Sequence, residues 1–486
     1  MGNSSGLLKN LTWKFSERIL SQLIGLVLGV ILARILSPQD YGLVAMVTVF
    51  TSLSYVLVDG GFCDALIQKK DADALDFSTV FYFSVSVALV LYLMLYFCAP
   101  MIANFYGEGY KELTPIIRVL GVQIIIYSMN AVQHAYVAKH MMFKKFFVST
   151  LWGTVLSGVL GLYMALTGFG VWALVWQGLV SSFIGLISLY YSTRKLPLLA
   201  FSFRRLRELF KFGANILAGS LLIKVYVEMR SLIIGKLYSA QDLAFYTKGR
   251  AYPNLIVANI NTSIGAVLFP RISQEQKDLS RVKEITRNSI RFSSYLMMPL
   301  MFGLAVVGEP FIRLLLTEKW VPCVPLMQWF CIVYLFQPIH TANMQAIKAL
   351  GRSDIYLKLE LIKKTIELIT LVAVMWISVD AIVINMAVMT VLFTFINAYP
   401  NKRLINYSYK EQYNDIAQSL YLSIAMVVSM CIVGYFVKGD VLLLFFQLLA
   451  GIVIYILMSS ITKNKEYNYI AGIVKDKLKW NTLKRK

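Results

Sequence analysis

Charge is what this chain has least of. Only 15% of its 486 residues are Asp, Glu, Lys or Arg, against 58% hydrophobic. A soluble globule carries about 25% charged residues, so that class is excluded. Cysteine is scarce too. Cys63, Cys98, Cys323, Cys331 and Cys431 are scattered through apolar runs without a CxxC pair, which fits buried thiols and gives no support to disulfides or a metal centre. The three histidines, His134, His140 and His340, have no ligand partners at metal spacing. No GxxxxGK[ST] loop appears, so nucleotide hydrolysis is disfavoured as an energy source. No long soluble segment appears either, and no cofactor is expected. A basic start leads into an apolar run from Leu23 to Leu32 without a small-x-small cleavage site, which reads as an uncleaved first span.

What the chain has is apolar length. Runs of about 20 residues, enough to cross a bilayer, fall near 12–36, 42–66, 77–99, 114–137, 147–167, 170–192, 213–236, 246–269, 292–316, 322–346, 355–377, 380–399, 418–437 and 441–461. The expected fold is an all-α integral membrane protein with about fourteen transmembrane helices. The net charge of +21 is then a matter of placement. Lys69/Lys70, Lys139/Lys144/Lys145, Arg194–Lys211, Arg271–Arg291, Lys348/Arg352/Lys358, Lys402/Arg403/Lys410 and the tail from Lys463 to Lys486 all fall on the side of the termini. The opposite side has Lys111, Lys236, Lys248, Arg250, Arg313, Lys319 and Lys438. The positive-inside rule puts both termini in the cytoplasm. With no soluble domain to present the basic residues, a nucleic-acid partner is not expected. Phe203–Lys211 reads as a basic amphipathic helix suited to anionic membrane lipids.

One stretch occurs twice. Ala33-Arg-Ile-Leu-Ser-Pro-Gln-Asp-Tyr-Gly42 joins the first two runs, and Gly235-Lys-Leu-Tyr-Ser-Ala-Gln-Asp-Leu-Ala244 joins two runs in mid-chain. A constant offset relates Arg34 to Lys236, Ser37 to Ser239, Gln39 to Gln241 and Asp40 to Asp242. In both, a Ser-x-Gln-Asp turn caps the next helix. The chain therefore reads as two parallel repeats of six spans. The first bundle covers 1–192 and a basic linker covers 193–212. The second bundle covers 213–399, two accessory spans 400–461, and a basic cytoplasmic tail 462–486.

Ionisable groups inside spans are costly and usually face a bundle interior or a wet cavity. The first span holds Lys14, Glu17, Arg18 and Gln22, the second Asp59, and the fourth Arg118. The seventh holds Lys224, Glu228 and Arg230, and the eighth opens with Lys248 and Arg250. At 1.5 Å per residue Arg18 lies about 9 Å inside the cytoplasmic end and Lys224 about 16 Å, near the midplane. Lys248 and Arg250 break the positive-inside pattern. Lys224–Glu228, Glu360–Lys364 and Lys363–Glu367 have the i,i+4 spacing of internal ion pairs, and that plainer reading stands beside a cavity role.

Trp13-Lys-Phe-Ser-Glu-Arg-Ile-Leu20, Leu36-Ser-Pro-Gln-Asp-Tyr-Gly-Leu43, Val58-Asp-Gly-Gly-Phe62 and Ala65-Leu-Ile-Gln-Lys-Lys70 resemble the Wzx-type polysaccharide-unit flippases. These belong to the multidrug, oligosaccharidyl-lipid and polysaccharide exporter superfamily. The resemblance runs over essentially the whole chain. It implies two pseudo-symmetric helical bundles around a central cavity, alternating access, and a multi-pass protein of the bacterial cytoplasmic membrane. It also implies a polyprenyl-pyrophosphate-linked oligosaccharide as cargo, flipped to the outer leaflet for polysaccharide or lipopolysaccharide assembly. By helix and depth, the cationic groups such flippases use map onto Arg18, Lys224 and Arg250, with Lys248 and Arg118 as further candidates.

Elementary chemistry agrees. A diphosphate cannot cross hydrocarbon unaided, and fixed guanidinium and ammonium groups replace its lost hydration. With no nucleotide site, an H+ or Na+ gradient or removal of product supplies direction, with Glu17, Asp59 and Glu228 as candidate coupling carboxylates. Two alternatives stay open. A multidrug or other lipid exporter of the same superfamily shares the architecture, but a multidrug antiporter wants an acidic or apolar cavity for cationic drugs. A membrane glycan-processing enzyme needs a sizeable catalytic loop, and the non-cytoplasmic loops here are short, so no enzyme is expected. Reporter fusions after Lys69 and after Lys486 should give the cytoplasmic signal and fusions after Asp40 the opposite one. A C-terminal fusion reporting the outer side would put the span count off by one.

Overall fold

The computed structural model describes residues 22–194 and 197–472, and every regular element among them is a helix. Lipid offers no partner for backbone N–H and C=O, so the apolar runs satisfy them internally as helices. Packing divides the chain into two compact units at Ala244/Phe245.

The first unit holds α1 (Gln22–Ile35), α2 (Pro38–Asp59), α3 (Phe62–Gln68), α4 (Ala74–Tyr106), α5 (Leu113–Lys139), α6 (Phe143–Leu166), α7 (Val171–Thr193) and α8 (Phe203–Leu237). Helix α9 (Ala240–Gln274) starts at its end and continues in the second unit. There it is followed by α10 (Leu279–Val306), α11 (Gly308–Leu316), α12 (Cys323–Leu335) and α13 (Gln337–Ala349). Then come α14 (Ser353–Val374), α15 (Val379–Leu404), α16 (Tyr409–Phe436) and α17 (Asp440–Ile461).

Eleven helical segments among the described residues are long and apolar enough to cross a membrane. The α2–α3 and α12–α13 pairs each count as one. The other three expected spans fall on α1, α8 and α14. Helix α1 is described only in part. Helices α8 and α14 run unbroken for 35 and 22 residues, carry several charges each, and stand outside the eleven. Residues 197–212, within the expected linker, and α8 itself group with the first unit, where α8 packs on α2, α3 and α4.

The repeated turn has the same geometry in both places. Ser37 N–H donates to Asp40 Oδ2 at 2.9 Å while Asp40 N–H donates back to Ser37 Oγ at 3.2 Å. Ser239 and Asp242 make the same reciprocal pair at 3.2 and 3.1 Å. Each box satisfies two N–H groups that a helix start would otherwise leave without partners.

One buried carboxylate in each unit gathers basic residues around it. In the first, Asp76 lies 2.8 Å from Lys69 Nζ and 3.2 Å from Arg205 Nη1, with its side chain fully buried. The hydroxyls of Ser78 and Thr79 accept the N–H groups of Leu198 and Ser202 at 2.7 and 3.2 Å, tying the segment before α8 to the start of α4. Just before that helix, Asp73 is held below the usual carboxylate range, first by the Asp76 N–H and further by Arg205. In the second unit Asp415 accepts from Arg287 Nε and Nη2 at 2.8 and 2.9 Å, from Arg291 Nε at 2.7 Å and from Tyr407 Oη at 2.7 Å. Charges so buried are tolerated because each is paired and hydrogen-bonded.

The second span breaks where the sequence reads Asp59-Gly60-Gly61. Both glycines are left-handed, with φ of 54° and 70°, and the chain turns from α2 into α3. A Cβ on Gly61 stands 2.5 Å from the carbonyl oxygen of Gly213 in α8, so both the conformation and the contact require glycine. Gly61→Ala should cost about 1–3 kcal/mol and lower the unfolding temperature of the detergent-purified protein. Gly219→Ala, where a Cβ on the same α8 meets nothing within 4 Å, should not. Equal behaviour of the two variants would remove this contact from the account.

Candidate functional site

The candidate cations and carboxylates fall into separate groups. Arg18 and Glu17 lie outside the described residues. Lys224 and Glu228 come together on α8 at 2.8 Å, with 32% and 14% of their side chains exposed. The i,i+4 pair expected from spacing is therefore made. Glu228 lies within electrostatic reach of Tyr106 on α4. Two residues on, Arg230 is nearly buried and donates from Nη2 to Tyr226 Oη at 2.8 Å, with its guanidinium 4.8 Å from that ring. Asp59 sits half-buried in the last turn of α2 beside Cys63, within electrostatic reach of Tyr127.

Arg118 stands apart from this group. Its guanidinium stacks on Tyr96 of α4 at 4.5 Å, and its Nε donates to the Tyr96 carbonyl at 3.4 Å. Lys248 and Arg250 belong to the second unit. Lys248 lies 5.4 Å from the Trp320 ring, and Arg250 Nε donates to Tyr334 Oη at 3.1 Å. Inside this predominantly apolar helix, Lys248 is thus held near an aromatic ring, where cation–π attraction offsets part of the lost hydration, and Arg250 is held by a tyrosine hydroxyl. On α14 four of the charges pair at i,i+3 instead of the expected i,i+4: Lys363 with Glu360 at 2.6 Å and Lys364 with Glu367 at 3.5 Å.

The first unit also contains a recess of about 410 Å³ between α2, α5, α6 and α7. Its wall is made of Thr48, Thr51 and Tyr55 from α2, and Gln123, Tyr127, Asn130 and His134 from α5. Ser149, Thr150 and Thr154 come from α6, and Ser181, Ser182 and Gly185 from α7. None of these is Asp, Glu, Lys or Arg. A polar chain crosses it: Tyr55 Oη donates to Gln123 Oε1 at 3.1 Å, Gln123 Nε2 to Ser182 Oγ at 3.2 Å, and Ser182 Oγ to the Gly178 carbonyl at 3.1 Å. Asn130 Nδ2 donates to the Ser182 carbonyl at 3.2 Å. The rings of Tyr55 and Tyr127 stack with centroids 4.3 Å apart.

The sequence reading missed this recess because it searched the spans for charge. A signal was present. Gln123, Tyr127, Asn130 and His134 are spaced four, three and four residues apart, which is one face of a helix. Thr48, Thr51 and Tyr55 repeat that spacing on α2.

Comparison with known proteins places this arrangement. The sequence pattern of the polysaccharide biosynthesis protein family matches residues 31–325. Teichuronic acid biosynthesis protein TuaB of Bacillus subtilis (strain 168) is 26% identical over 307 residues, covering 63% of this chain and 63% of TuaB, so the chain matches less than two thirds of that relative's length. Lipopolysaccharide biosynthesis protein WzxC of Escherichia coli (strain K12) is 23% identical over 431 residues, 86% of this chain and 85% of WzxC. Among solved structures, lipid II flippase MurJ in an inward closed conformation superposes with a TM-score of 0.76 at 14% identity, over 93% of this chain and 99% of that one. At that identity the likeness is one of fold. With its family pattern spanning more than half of the sequence and its helices laid out as in a known membrane-protein fold, the chain belongs to the polysaccharide biosynthesis protein family.

Proposed function

We propose that this protein flips a polyprenyl-pyrophosphate-linked oligosaccharide from the cytoplasmic to the outer leaflet of a bacterial cytoplasmic membrane, for polysaccharide or lipopolysaccharide assembly. The observation that carries the reading is a set of cations kept within apolar helices of a polysaccharide-family protein: Lys224 on α8, and Lys248 and Arg250 on α9. Arg18 extends the set in the first span. A diphosphate group is the part of such a cargo that hydrocarbon excludes most strongly, and charge-assisted hydrogen bonds substitute for its water. The prenyl tail needs no protein chemistry, since it stays in lipid.

Lys224 is held by Glu228 when no cargo is bound. An entering diphosphate brings more negative charge to the same ammonium and competes with that carboxylate. Glu228 is thereby the better placed of the two described candidate coupling carboxylates, and H+ or Na+ on it releases Lys224. Asp59 lies farther along, at the turn between α2 and α3. The termini and the basic loops lie on the cytoplasmic side, and with them the helix ends that carry Asp76 and Asp415. Transport rather than catalysis is the function that this set of groups serves.

In cells whose own copy is deleted, Arg18→Ala should cut glycan export per molecule of protein roughly tenfold to a hundredfold. That corresponds to one lost charge-assisted hydrogen bond of about 1.5–3 kcal/mol. Arg18→Lys should recover part of the loss, because it keeps the charge without the planar fork. Full export by the alanine variant at normal abundance would take Arg18 out of the site. Reduced abundance with unchanged export per molecule would mark it as an anchor of the helix.

A further inference from the structure

The polar recess in the first unit has no task in the scheme above, which uses only charges. Its walls exclude most occupants. A diphosphate needs cations, and none of the lining residues is Lys or Arg. A cationic drug or a metal ion needs carboxylates or a carbonyl cage, and none is Asp or Glu. A prenyl chain gains nothing from hydroxyl and amide walls.

The hydrogen bonds already made narrow the choice further. Thr48 donates its hydroxyl proton to the Val44 carbonyl at 2.7 Å, Thr51 to Thr48 O at 3.3 Å, and Thr154 to Thr150 O at 2.8 Å. Ser182 and Tyr55 donate within the polar chain already described. With these protons turned to helix carbonyls and Gln123, the oxygens that line the recess are mainly acceptors. They suit a neutral ligand rich in O–H and N–H donors. The stacked Tyr55 and Tyr127 rings add the flat apolar surface on which the C–H face of a pyranose packs. A volume of about 410 Å³ lies within the range of small-ligand sites, about 300–1,000 Å³. Counted along α5 from Leu113 at 1.5 Å per residue, Gln123 lies about 15 Å in and His134 about 31 Å, so the recess reaches from mid-span towards one end.

We infer that this recess is a glycosyl subsite, receiving one sugar of the cargo while Lys224, in the same unit, receives its diphosphate. The inference rests on the proposed transport of a lipid-linked glycan and adds where the glycan is recognised. Water fills the recess before cargo arrives, and sugar hydroxyls replace its hydrogen bonds one for one. Discrimination follows from the same acceptors: a ligand without the matching hydroxyls leaves them unpaired.

Gly185 provides a direct test, because a Cβ there meets nothing within 4 Å and a larger side chain extends into open space beside the recess. The full chain, purified into lipid nanodiscs, is titrated with undecaprenyl diphosphate and with the lipid-linked oligosaccharide pool extracted from cells lacking the protein. The wild type should bind the glycosylated pool at least about tenfold more tightly than the bare lipid diphosphate. Gly185→Leu, which fills the space, and Gln123→Ala, which breaks the polar chain, should each abolish that advantage and leave binding of the bare lipid unchanged. Gly185→Ala should keep most of it. The inference fails alone if both lipids bind equally to the wild type, or if both the leucine and the Gln123 variants retain the full advantage. Binding of neither lipid would overturn it together with the transport reading.

Discussion

A polar group placed inside a lipid-spanning helix must find a partner or forfeit several kcal/mol, and this constraint orders the whole molecule. The backbone of the described residues meets it by forming helices. Charged side chains meet it by local pairing: Lys224 with Glu228, Lys363 with Glu360, and Asp415 with Arg287 and Arg291. Others meet it by resting on aromatic faces, as Arg118 does on Tyr96 and Lys248 near Trp320. Hydroxyls meet it by bonding carbonyls of their own helix one turn back, as Thr48 and Thr154 do. Groups satisfied in these ways can be kept at membrane depth for use on a cargo.

The chemistry then separates by type. The cations proposed for the diphosphate stand on α8 and α9, and neutral acceptors line the recess between α2, α5, α6 and α7. A glycolipid diphosphate has the same division, an anionic linkage joined to a neutral polyol, so one binding chemistry alone does not accommodate it. The buried carboxylates Asp76 and Asp415 show a further use of charge. Several Lys and Arg residues that a topology rule explains as loop charge also have specific partners: Lys69 and Arg205 on Asp76, Arg287 and Arg291 on Asp415.

Much of the fold was legible because hydropathy over 20 residues is a coarse signal that survives local irregularity. The reciprocal Ser-x-x-Asp boxes at Ser37 and Ser239 were legible because capping depends on residues three apart. The breaks inside the second and tenth expected spans were not. They depend on the φ values of Gly60 and Gly61 and on the short interruption at Phe336, features that an apolar run conceals. The charged candidates could be named from sequence, and so could Glu228 as the partner of Lys224, but not the companions on other helices: Tyr96 and Tyr334 reach Arg118 and Arg250 from elsewhere in the chain. The recess went unseen for a related reason. Hydroxyl and amide residues are common in membrane helices, and only the packing of four helices shows which of them share a space.

The central claim is that a glycan-bearing lipid diphosphate crosses the bilayer through this protein, and reconstitution tests it most directly. Liposomes carrying the purified protein are loaded asymmetrically with a labelled lipid-linked oligosaccharide, and a membrane-impermeant lectin reads its appearance on the opposite face over time. The account predicts a signal that rises with the number of protein molecules per vesicle and far outpaces protein-free liposomes. Equal rates with and without protein, in vesicles where the protein is folded and binds the lipid, would contradict it.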